Sequence, residues 1–138
     1  MTIKTYTALP KEAAQIRQEV FVEEQGFREE FDTVDNSAYH VVLFTDGKAV
    51  ATCRYFADEN GSYIVGRIAV LKKYRNKGLG SAVLRAAEEQ IKQLGGDSVF
   101  LHSQLRAAEF YEKLGYFSYG EIEFEEDCPH IWMKKELR

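Results

Sequence analysis

The chain has 138 residues, of which 45% are hydrophobic and 13% aromatic, and its formal net charge is −4. This composition is typical of one globular domain with a packed core and excludes a disordered chain, while the acidic balance argues against a general nucleic-acid binder. No apolar run approaches the roughly 18 residues of a membrane span, and the N-terminus lacks the apolar segment of a signal peptide. We therefore expect a cytoplasmic protein that binds neither nucleic acid nor membrane.

The first elements are a short strand and an amphipathic helix. Alternation over residues 3–7, IKTYT, predicts the strand, and Pro10 suits the first turn of a helix. Apolar residues on one face of that helix, followed by Gly26, predict its course and its end. An acidic loop follows over residues 22–40, VEEQGFREEFDTVDNSAYH.

A tight turn at Asp46-Gly47 gives the clearest local signal. It joins two strand-like runs, YHVVLFT and KAVATCRYF, and predicts a hairpin. Asn60-Gly61 turns the chain again into YIVGRIAVL. Three strands in succession predict an antiparallel meander.

From Leu79 the apolar residues recur at helical spacing, until Gly95-Gly96 ends the helix. SVFLHS then reads as a strand. Because strand-helix-strand crossovers are right-handed and join parallel strands, this strand should run parallel to residues 63–71. A shorter helix over LRAAEFYEKLG and two strands over YFSYGEI and HIWMKKEL complete an α+β arrangement.

The loop before the long helix, RNKGLGS at residues 75–81, carries glycines where a capping side chain is usual. The first amides of a helix lack intrahelical partners and lie at the positive end of its dipole, so Gly78 and Gly80 would open them to an anion. Arg75 and Lys77 add positive charge. The loop matches neither a P-loop nor a full dinucleotide fingerprint, since Val83 stands at the third glycine position. From the residues alone, a phosphate site and a merely tight turn are equal alternatives.

Two segments carry a family resemblance. RIAVLKKYRNKGLGSAVLRAAEE resembles the acetyl-CoA-binding segment of the GNAT superfamily of N-acyltransferases, whose pattern R/Q-x-x-G-x-G/A matches at Arg75, Gly78 and Gly80. QLRAAEFYEKLGYFSYGE resembles the second family segment, N/Q-x-x-A-x-x-F-Y-x-K-x-G-F. The matching residues are Gln104, Ala107, Phe110, Tyr111, Lys113 and Gly115. The stretches VFVEEQGF, EFDTVDNSAYH and CPHIWM resemble the ElaA-like subgroup.

The resemblance implies an α+β fold with a mixed central sheet flanked by helices. An antiparallel meander leads into a parallel pair, the fourth and fifth strands, which splay apart to form a cleft. One N-acetyltransferase domain over residues 1–138 would move an acetyl group from acetyl-CoA, without a metal, to a primary amine of a small molecule or to an exposed amino group. The alternative is a non-catalytic CoA-binding module. Exposed edge strands make a homodimer a reasonable expectation.

The resemblance also assigns roles to individual residues. Pantetheine would pair with the main chain of Ile68 and Val70, whose amide would stabilise the thioester oxygen, and the pyrophosphate would lie on residues 77–81. The cofactor-binding residues so implied are Ile68, Ala69, Val70, Arg75, Asn76, Lys77, Gly78, Leu79, Gly80, Ser81, Gln104, Phe110 and Lys113. Tyr111 matches the family's acid, and a phenol with a pKa near 10 suits a thiolate partner. Its alternative role is in the apolar stripe of a short helix.

The general base is less well defined by the sequence. Glu24 and His130 are the candidates we retain, with Asp35 and His40 behind them. Histidine titrates nearest neutrality, although either histidine could equally be structural.

For the remaining polar and aromatic residues we expect structural rather than functional roles. His40, His102 and His130 show no metal-ligand spacing with the cysteines, so no metal site is expected. Cys53 should be a buried thiol, and Trp132 should pack in the core or at an edge. The acidic loop favours a solvated surface over a negative cleft edge that attracts an amine. Its carboxylates are Glu23, Glu24, Glu29, Glu30, Asp32 and Asp35.

Overall fold

The computed structural model describes residues 1–138 as a seven-stranded sheet flanked by helices. The strands are β1 (Thr2–Tyr6), β2 (Tyr39–Thr45), β3 (Lys48–Ala57), β4 (Tyr63–Val70), β5 (Ser98–Gln104), β6 (Phe117–Glu125) and β7 (Cys128–Glu136). The helices are α1 (Lys11–Arg17), α2 (Leu79–Gln93) and α3 (Ala108–Glu112). The strand order is β1-β2-β3-β4-β5-β7-β6, and only the β4–β5 pair is parallel. The predicted mixed α+β sheet is therefore confirmed.

The hairpin between β2 and β3 follows from its turn residues. Asp46 and Gly47 both have positive φ, 51° and 79°, as the two-residue turn that matches strand twist requires. Antiparallel pairing from β1 to β4 then builds the predicted meander.

The first helix continues beyond α1 in a wider form. Pro10 is its capping residue rather than part of its first turn, and residues Gln18–Glu24 continue it as a π-helix. Gly26, at φ 83°, lies just beyond the end, close to where the sequence predicts it. The widened turn buries Val20 and Phe21 against β4 and the residue after it. The hydrophobic pattern does not distinguish i→i+5 from i→i+4 bonding, so the π-helix was not predicted.

Helix α2 lies on the opposite face of the sheet and closes the main core. Its buried residues are Val83, Leu84, Ala87, Glu88 and Ile91, and the four apolar ones belong to the main hydrophobic cluster. Cys53 is buried there with its thiol 3.5 Å from the Val83 carbonyl, as expected. None of the helices combines the length and apolar character needed to cross a membrane.

The acidic loop is not the solvated surface that we expected. Glu30 and Asp35 are buried, and the equally buried Arg17 contacts both, with Nε 2.9 Å from Glu30 Oε2 and Nη1 2.7 Å from Asp35 Oδ1. Arg54 of β3 reaches the same Asp35 oxygen at 2.8 Å. The expectation is wrong for these two carboxylates because their partners lie 13 to 19 residues away in the chain, whereas Glu23, Glu24, Glu29 and Asp32 are exposed.

The C-terminal elements differ from the prediction at their ends. The short helix is a 3-10 turn over Leu105–Ala107 followed by α3. Strand β6 extends to Glu125, and the turn to β7 is Glu126-Asp127, both with positive φ. Strand β7 therefore begins at Cys128, two residues before the predicted start at His130.

Candidate active site

A split between β4 and β5 opens the middle of the sheet. The two strands pair only at Tyr63 with Val99 and Ile64 with Phe100, whereas the other edge of β5 pairs with β7 along its whole length. The split begins next to a distortion in β4, where the register with β3 shifts and Arg67 adopts a φ of 53°. Such irregularities bend a strand and redirect its side chains.

The exposed edge of β4 presents main-chain groups towards this split. The amide of Leu71, the residue after β4, donates to the Val50 carbonyl of β3 at 2.9 Å. Main-chain groups alternate in direction along a strand, so those of Ile68 and Val70 point away from β3, towards the cleft. This orientation is the one that an added strand-like ligand needs.

The glycine loop ends in a helix start with free amides. Asn76 and Gly78 have left-handed backbone conformations, with φ of 64° and 77°, and Gly78 caps α2. The first helical hydrogen bond runs from the Ala82 amide to the Gly78 carbonyl at 3.1 Å, and the amides of residues 77–81 donate to no backbone acceptor. These five amides are available to an anion, as the sequence suggested.

Three predicted cofactor segments converge on Gly80. A Cβ built on Gly80 would lie 3.5 Å from Phe110 Cζ and 3.7 Å from Val70 Cγ2. The start of α2, the end of β4 and the helix α3 therefore meet at one point. Lys113, by contrast, is exposed beyond the end of α3.

The Arg75 side chain connects the glycine loop to β4 and to the end of the π-helix. Its Nε donates to the Val70 carbonyl at 3.0 Å, and its two terminal nitrogens each contact a Glu24 carboxylate oxygen at 2.7 Å. These hydrogen bonds lower the pKa of Glu24 below its ordinary value. Glu24 lies outside the main cavity and lines a separate polar surface depression with Lys72.

A cavity of about 580 Å³ occupies the split, on the face of the sheet that α1 covers. Four of the predicted site residues line it, namely Ile68, Gln104, Tyr111 and His130. The sequence reasoning did not assign several other lining residues to a site: Phe21, Phe27, Phe56, Arg67, His102 and Trp132. Trp132 is half-buried in the cavity wall. Their strand spacing places them on the cleft face, but only the cross-strand register shows that these faces meet.

Tyr111 lies where the cavity approaches α3. Its ring packs edge-on against Phe110, with centroids 5.0 Å apart, and against Tyr116, 6.0 Å apart. Burial raises the pKa of the Tyr111 hydroxyl well above its usual range. The Tyr116 hydroxyl is already committed, since it donates to Glu88 at 2.7 Å.

His130 and His102 lie side by side in the opposite wall. The His130 Nδ1 is 2.9 Å from the Cys128 carbonyl, which can only accept, so Nδ1 carries the proton and Nε2 has its lone pair free in the neutral ring. The imidazoles of the two histidines have centroids 5.0 Å apart. His102 Nδ1 hydrogen-bonds to the Glu125 carboxylate.

His40 and Asp35, the secondary base candidates, belong to the core beneath the cavity. His40 Nε2 is 3.0 Å from the Asp35 carbonyl, and burial lowers the pKa of His40. Burial alone would raise the pKa of Asp35, but hydrogen bonds from Arg17 and Arg54 hold it well below its usual range. Neither residue lines the cavity.

The electrostatic balance of the cavity is negative. Five carboxylates line it against two guanidinium groups. Arg67 and Arg54 are already paired, with Glu30 at 3.0 Å and Asp32 at 2.7 Å. A wall of this sign attracts cations.

Comparison with known proteins places this architecture in a family. The model of the acetyltransferase (GNAT) family matches residues 6–116. The uncharacterized protein YyaT of Bacillus subtilis (strain 168) is 38% identical over 137 residues, covering 91% of this chain and 88% of YyaT.

Solved structures share the fold along the whole chain. An acyl-CoA N-acyltransferase from Pseudomonas aeruginosa is 26% identical with a TM-score of 0.86, covering 98% of this chain and 99% of that one. Escherichia coli ElaA, 24% identical, has a TM-score of 0.83 over 98% and 100% of the two chains. An aminoglycoside 6'-N-acetyltransferase complexed with coenzyme A, 17% identical, has a TM-score of 0.75 over 100% and 98%. The matched family model and the close relative confirm the resemblance in the sequence: the chain belongs to the GNAT family of acetyltransferases.

Proposed function

We propose that this protein transfers an acetyl group from acetyl-CoA directly to a primary amine. The observation that carries the proposal is the run of free amides over residues 77–81, at the start of α2 and beside the splayed β4 edge. A helix start of this kind binds phosphate through main-chain donors and the helix dipole. Bound acetyl-CoA supplies the acetyl group as an activated thioester.

Residues of this chain fit two parts of coenzyme A, the pyrophosphate and pantetheine. The amides of Lys77 to Ser81 would hold the pyrophosphate, and the outward main-chain groups of Ile68 would pair with pantetheine as an added strand. Arg75 contributes by holding the Val70 carbonyl and Glu24, so we assign it a positioning role as well as a favourable charge. A protein of the same fold has been solved in complex with coenzyme A, which supports coenzyme A as the ligand class.

Val70 and Tyr111 would act on two different atoms of the thioester, its carbonyl oxygen and its sulfur. The Val70 amide, aimed into the cleft, would donate to the carbonyl oxygen as negative charge builds up there. The Tyr111 hydroxyl would give its proton to the sulfur as the carbon–sulfur bond breaks. Burial raises the pKa of Tyr111, which keeps the hydroxyl protonated until a thiolate is formed next to it.

His130 is the better of the two base candidates. An ammonium group must lose one proton before it attacks, and the nitrogen loses a second as the carbon–nitrogen bond forms. His130 lines the cavity, and its Nε2 lies 3.8 Å from Glu125 Oε2, whereas Glu24 is held by Arg75 outside the cavity. One of these protons leaves through His130 to solvent, and the other restores the Tyr111 hydroxyl, which has given its proton to the sulfur. The products are therefore an amide, a free thiol and one released proton.

The experiment that tests the proposal is an assay of thiol release from acetyl-CoA with a panel of primary amines. Amine-dependent release of thiol, with the acetylated amine found by mass spectrometry, is the expected result. Tight CoA binding without turnover on any amine would instead indicate a CoA-binding module. Equal thermal protection by ATP, NAD and CoA would contradict the specific CoA site.

A further inference from the structure

A strip of ring side chains extends from the cavity across the face of β5, β7 and β6. The register aligns His102 with Trp132 and Trp132 with Tyr119, so the three side chains lie on the same face. Phe100 joins them two residues before His102, with its ring 6.3 Å from that of Tyr119. We call these four residues the aromatic strip. Helix α1 packs on β2, β3 and β4, which leaves the strip without helical cover.

The strip is ordered by stacking and leads directly to the proposed base. The rings of His102 and Trp132 stack with centroids 4.6 Å apart and an interplanar angle of 23°, and His130 follows at 5.0 Å from His102. At its outer end Tyr119 is 41% exposed. An exposed apolar surface that continues into a cavity marks a place where a ligand or partner binds.

The charge beside the strip selects a cation. His102 contacts Glu125 through Nδ1, and its Nε2 lies 3.4 Å from Glu123 Oε1. The guanidinium groups of the cavity are paired elsewhere. The Lys134 ammonium lies over the Phe100 ring, 5.4 Å from its centroid, but is paired with Glu136 at 3.0 Å, so Glu123 and Glu125 set the sign of the charge next to His102. A second copy of the chain is a poor occupant, because β6 carries three glutamates, Glu121, Glu123 and Glu125, and two such strands placed side by side would repel each other.

We infer that the acceptor is an arylalkylamine-type substrate, whose flat apolar body lies on the aromatic strip while its ammonium group faces Glu125 and His130. As a statement about an acceptor, this inference rests on the proposed transferase function. Ring stacking and cation–π attraction favour such a ligand. A carboxylate next to the amine, as in a free amino acid, would meet the same negative wall and be rejected.

The lone tryptophan provides a direct test on the full chain. Trp132 is the only tryptophan, so the protein's tryptophan fluorescence reports on the strip alone. Titration with 2-phenylethylamine should give a saturable change with an affinity at least tenfold tighter than for n-propylamine, which lacks the ring, or 3-phenylpropionate, which reverses the charge. Affinity for n-propylamine or 3-phenylpropionate equal to that for 2-phenylethylamine, or no saturable change with 2-phenylethylamine, would overturn the inference.

Variants on one strand separate the strip from a general surface effect. By calorimetry, Tyr119→Ala and Glu125→Gln should each weaken 2-phenylethylamine binding at least fivefold. Phe124→Ala is the matched control: Phe124 is 68% exposed on β6 but pairs with Pro129, on the opposite face from His130, and should change the affinity less than twofold. An equal loss in the control would contradict the inference.

Two further outcomes keep this inference separate from the proposed function. A dimer that dissociates on Tyr119→Ala, with amine affinity unchanged, would assign the strip to a second copy and overturn the inference. Absence of thiol release with every amine would contradict the transferase proposal. The binding titration would still show whether the aromatic strip binds an aromatic cation.

Discussion

The guanidinium of Arg75 and the carboxylate of Glu24 face each other through two hydrogen bonds of 2.7 Å. The pair joins the end of the π-helix to the loop that precedes α2. Because Arg75 lowers the pKa of Glu24, the carboxylate stays ionised and engaged, which is unfavourable for a general base. The same pair fixes the Val70 carbonyl through Arg75 Nε, so it organises the cleft rather than reacting in it.

Substitution of each of the two base candidates should distinguish their roles. We predict that His130→Gln lowers kcat about 100-fold, the loss typical of a general base, while Glu24→Gln lowers it far less and acts mainly on the KM for acetyl-CoA. Steady-state kinetics of both variants measure the difference. A larger loss of kcat for Glu24→Gln than for His130→Gln would reverse the assignment.

The glycine loop can be tested by charge. Gly80→Glu should weaken CoA binding about 100-fold, because the new carboxylate would lie next to the phosphates and repel them. Each tenfold loss of affinity corresponds to about 1.4 kcal/mol of binding free energy. Gly80→Ala is the size control, because its Cβ would make only ordinary contacts with Phe110 and Val70. Arg85→Glu, on the exposed side of α2, is the charge control. Calorimetric CoA affinity that survives Gly80→Glu would refute the loop assignment.

The proposed acid should affect turnover more than binding. Tyr111→Phe removes the hydroxyl but keeps the ring that packs on Phe110 and Tyr116. We expect kcat to fall by about 100-fold or more, with the Kd for CoA unchanged within threefold. An unaltered kcat would remove Tyr111 from the mechanism.

The buried ion pairs of Arg17 with Glu30 and Asp35 should contribute to the free energy of unfolding. Arg17→Met leaves Glu30 and Asp35 buried without their main partner and should cost about 3–5 kcal/mol of unfolding free energy. Lys134→Met, which removes an exposed pair with Glu136, is the control and should cost less than about 1 kcal/mol. Urea unfolding measures both losses, and equal losses would contradict a structural role for the network.

Within this network Asp35 gives a pH dependence of known sign, whereas burial raises the pKa of Glu30. The folded-state pKa of Asp35 lies below its unfolded value of about 3.9, so its stabilisation is complete above that pH and is lost as the pH falls further. Asp35→Asn should therefore flatten the decline of stability below about pH 4. An acid limb as steep as that of the unsubstituted protein would show that Asp35 is not its source.

Packing beneath the cleft offers a test independent of function. A Cβ on Gly96 would lie 2.5 Å from Ile91 Cγ2 and 2.9 Å from Tyr63 Cδ2, so Gly96→Ala should lower the unfolding free energy by about 1–3 kcal/mol. Gly66→Ala, with nothing within 4 Å of the new atom and no positive φ, is the matched control. Thermal unfolding of the two variants should differ by several degrees.

Local patterns predicted the elements well because each has a local cause. Asp46-Gly47 requires a hairpin turn, and the helical spacing after Leu79 requires an amphipathic helix. The π-helix and the ends of β6 were missed because hydrogen-bond register leaves no trace in composition. The strand-helix-strand rule correctly gave the parallel pair, but the extent of its pairing, two residues, is set by the distortion near Arg67.

The candidate site divides in the same way. The phosphate loop follows from residues adjacent in sequence, so Gly78 and Gly80 are visible there. The burial of Glu30 and the meeting of His102 with Trp132 depend on partners distant in the chain, which only the folded register reveals. Such partners lie 13 or more positions apart in the chain, and no spacing rule covers that range.

A crystal structure with acetyl-CoA tests the central claim most directly. The main-chain nitrogens of residues 77–81 should lie within about 3.2 Å of pyrophosphate oxygens, with the thioester between the Val70 amide and the Tyr111 hydroxyl. A pyrophosphate bound away from these nitrogens, or a loop whose amides have turned inward to protein acceptors, would contradict the proposed transferase site.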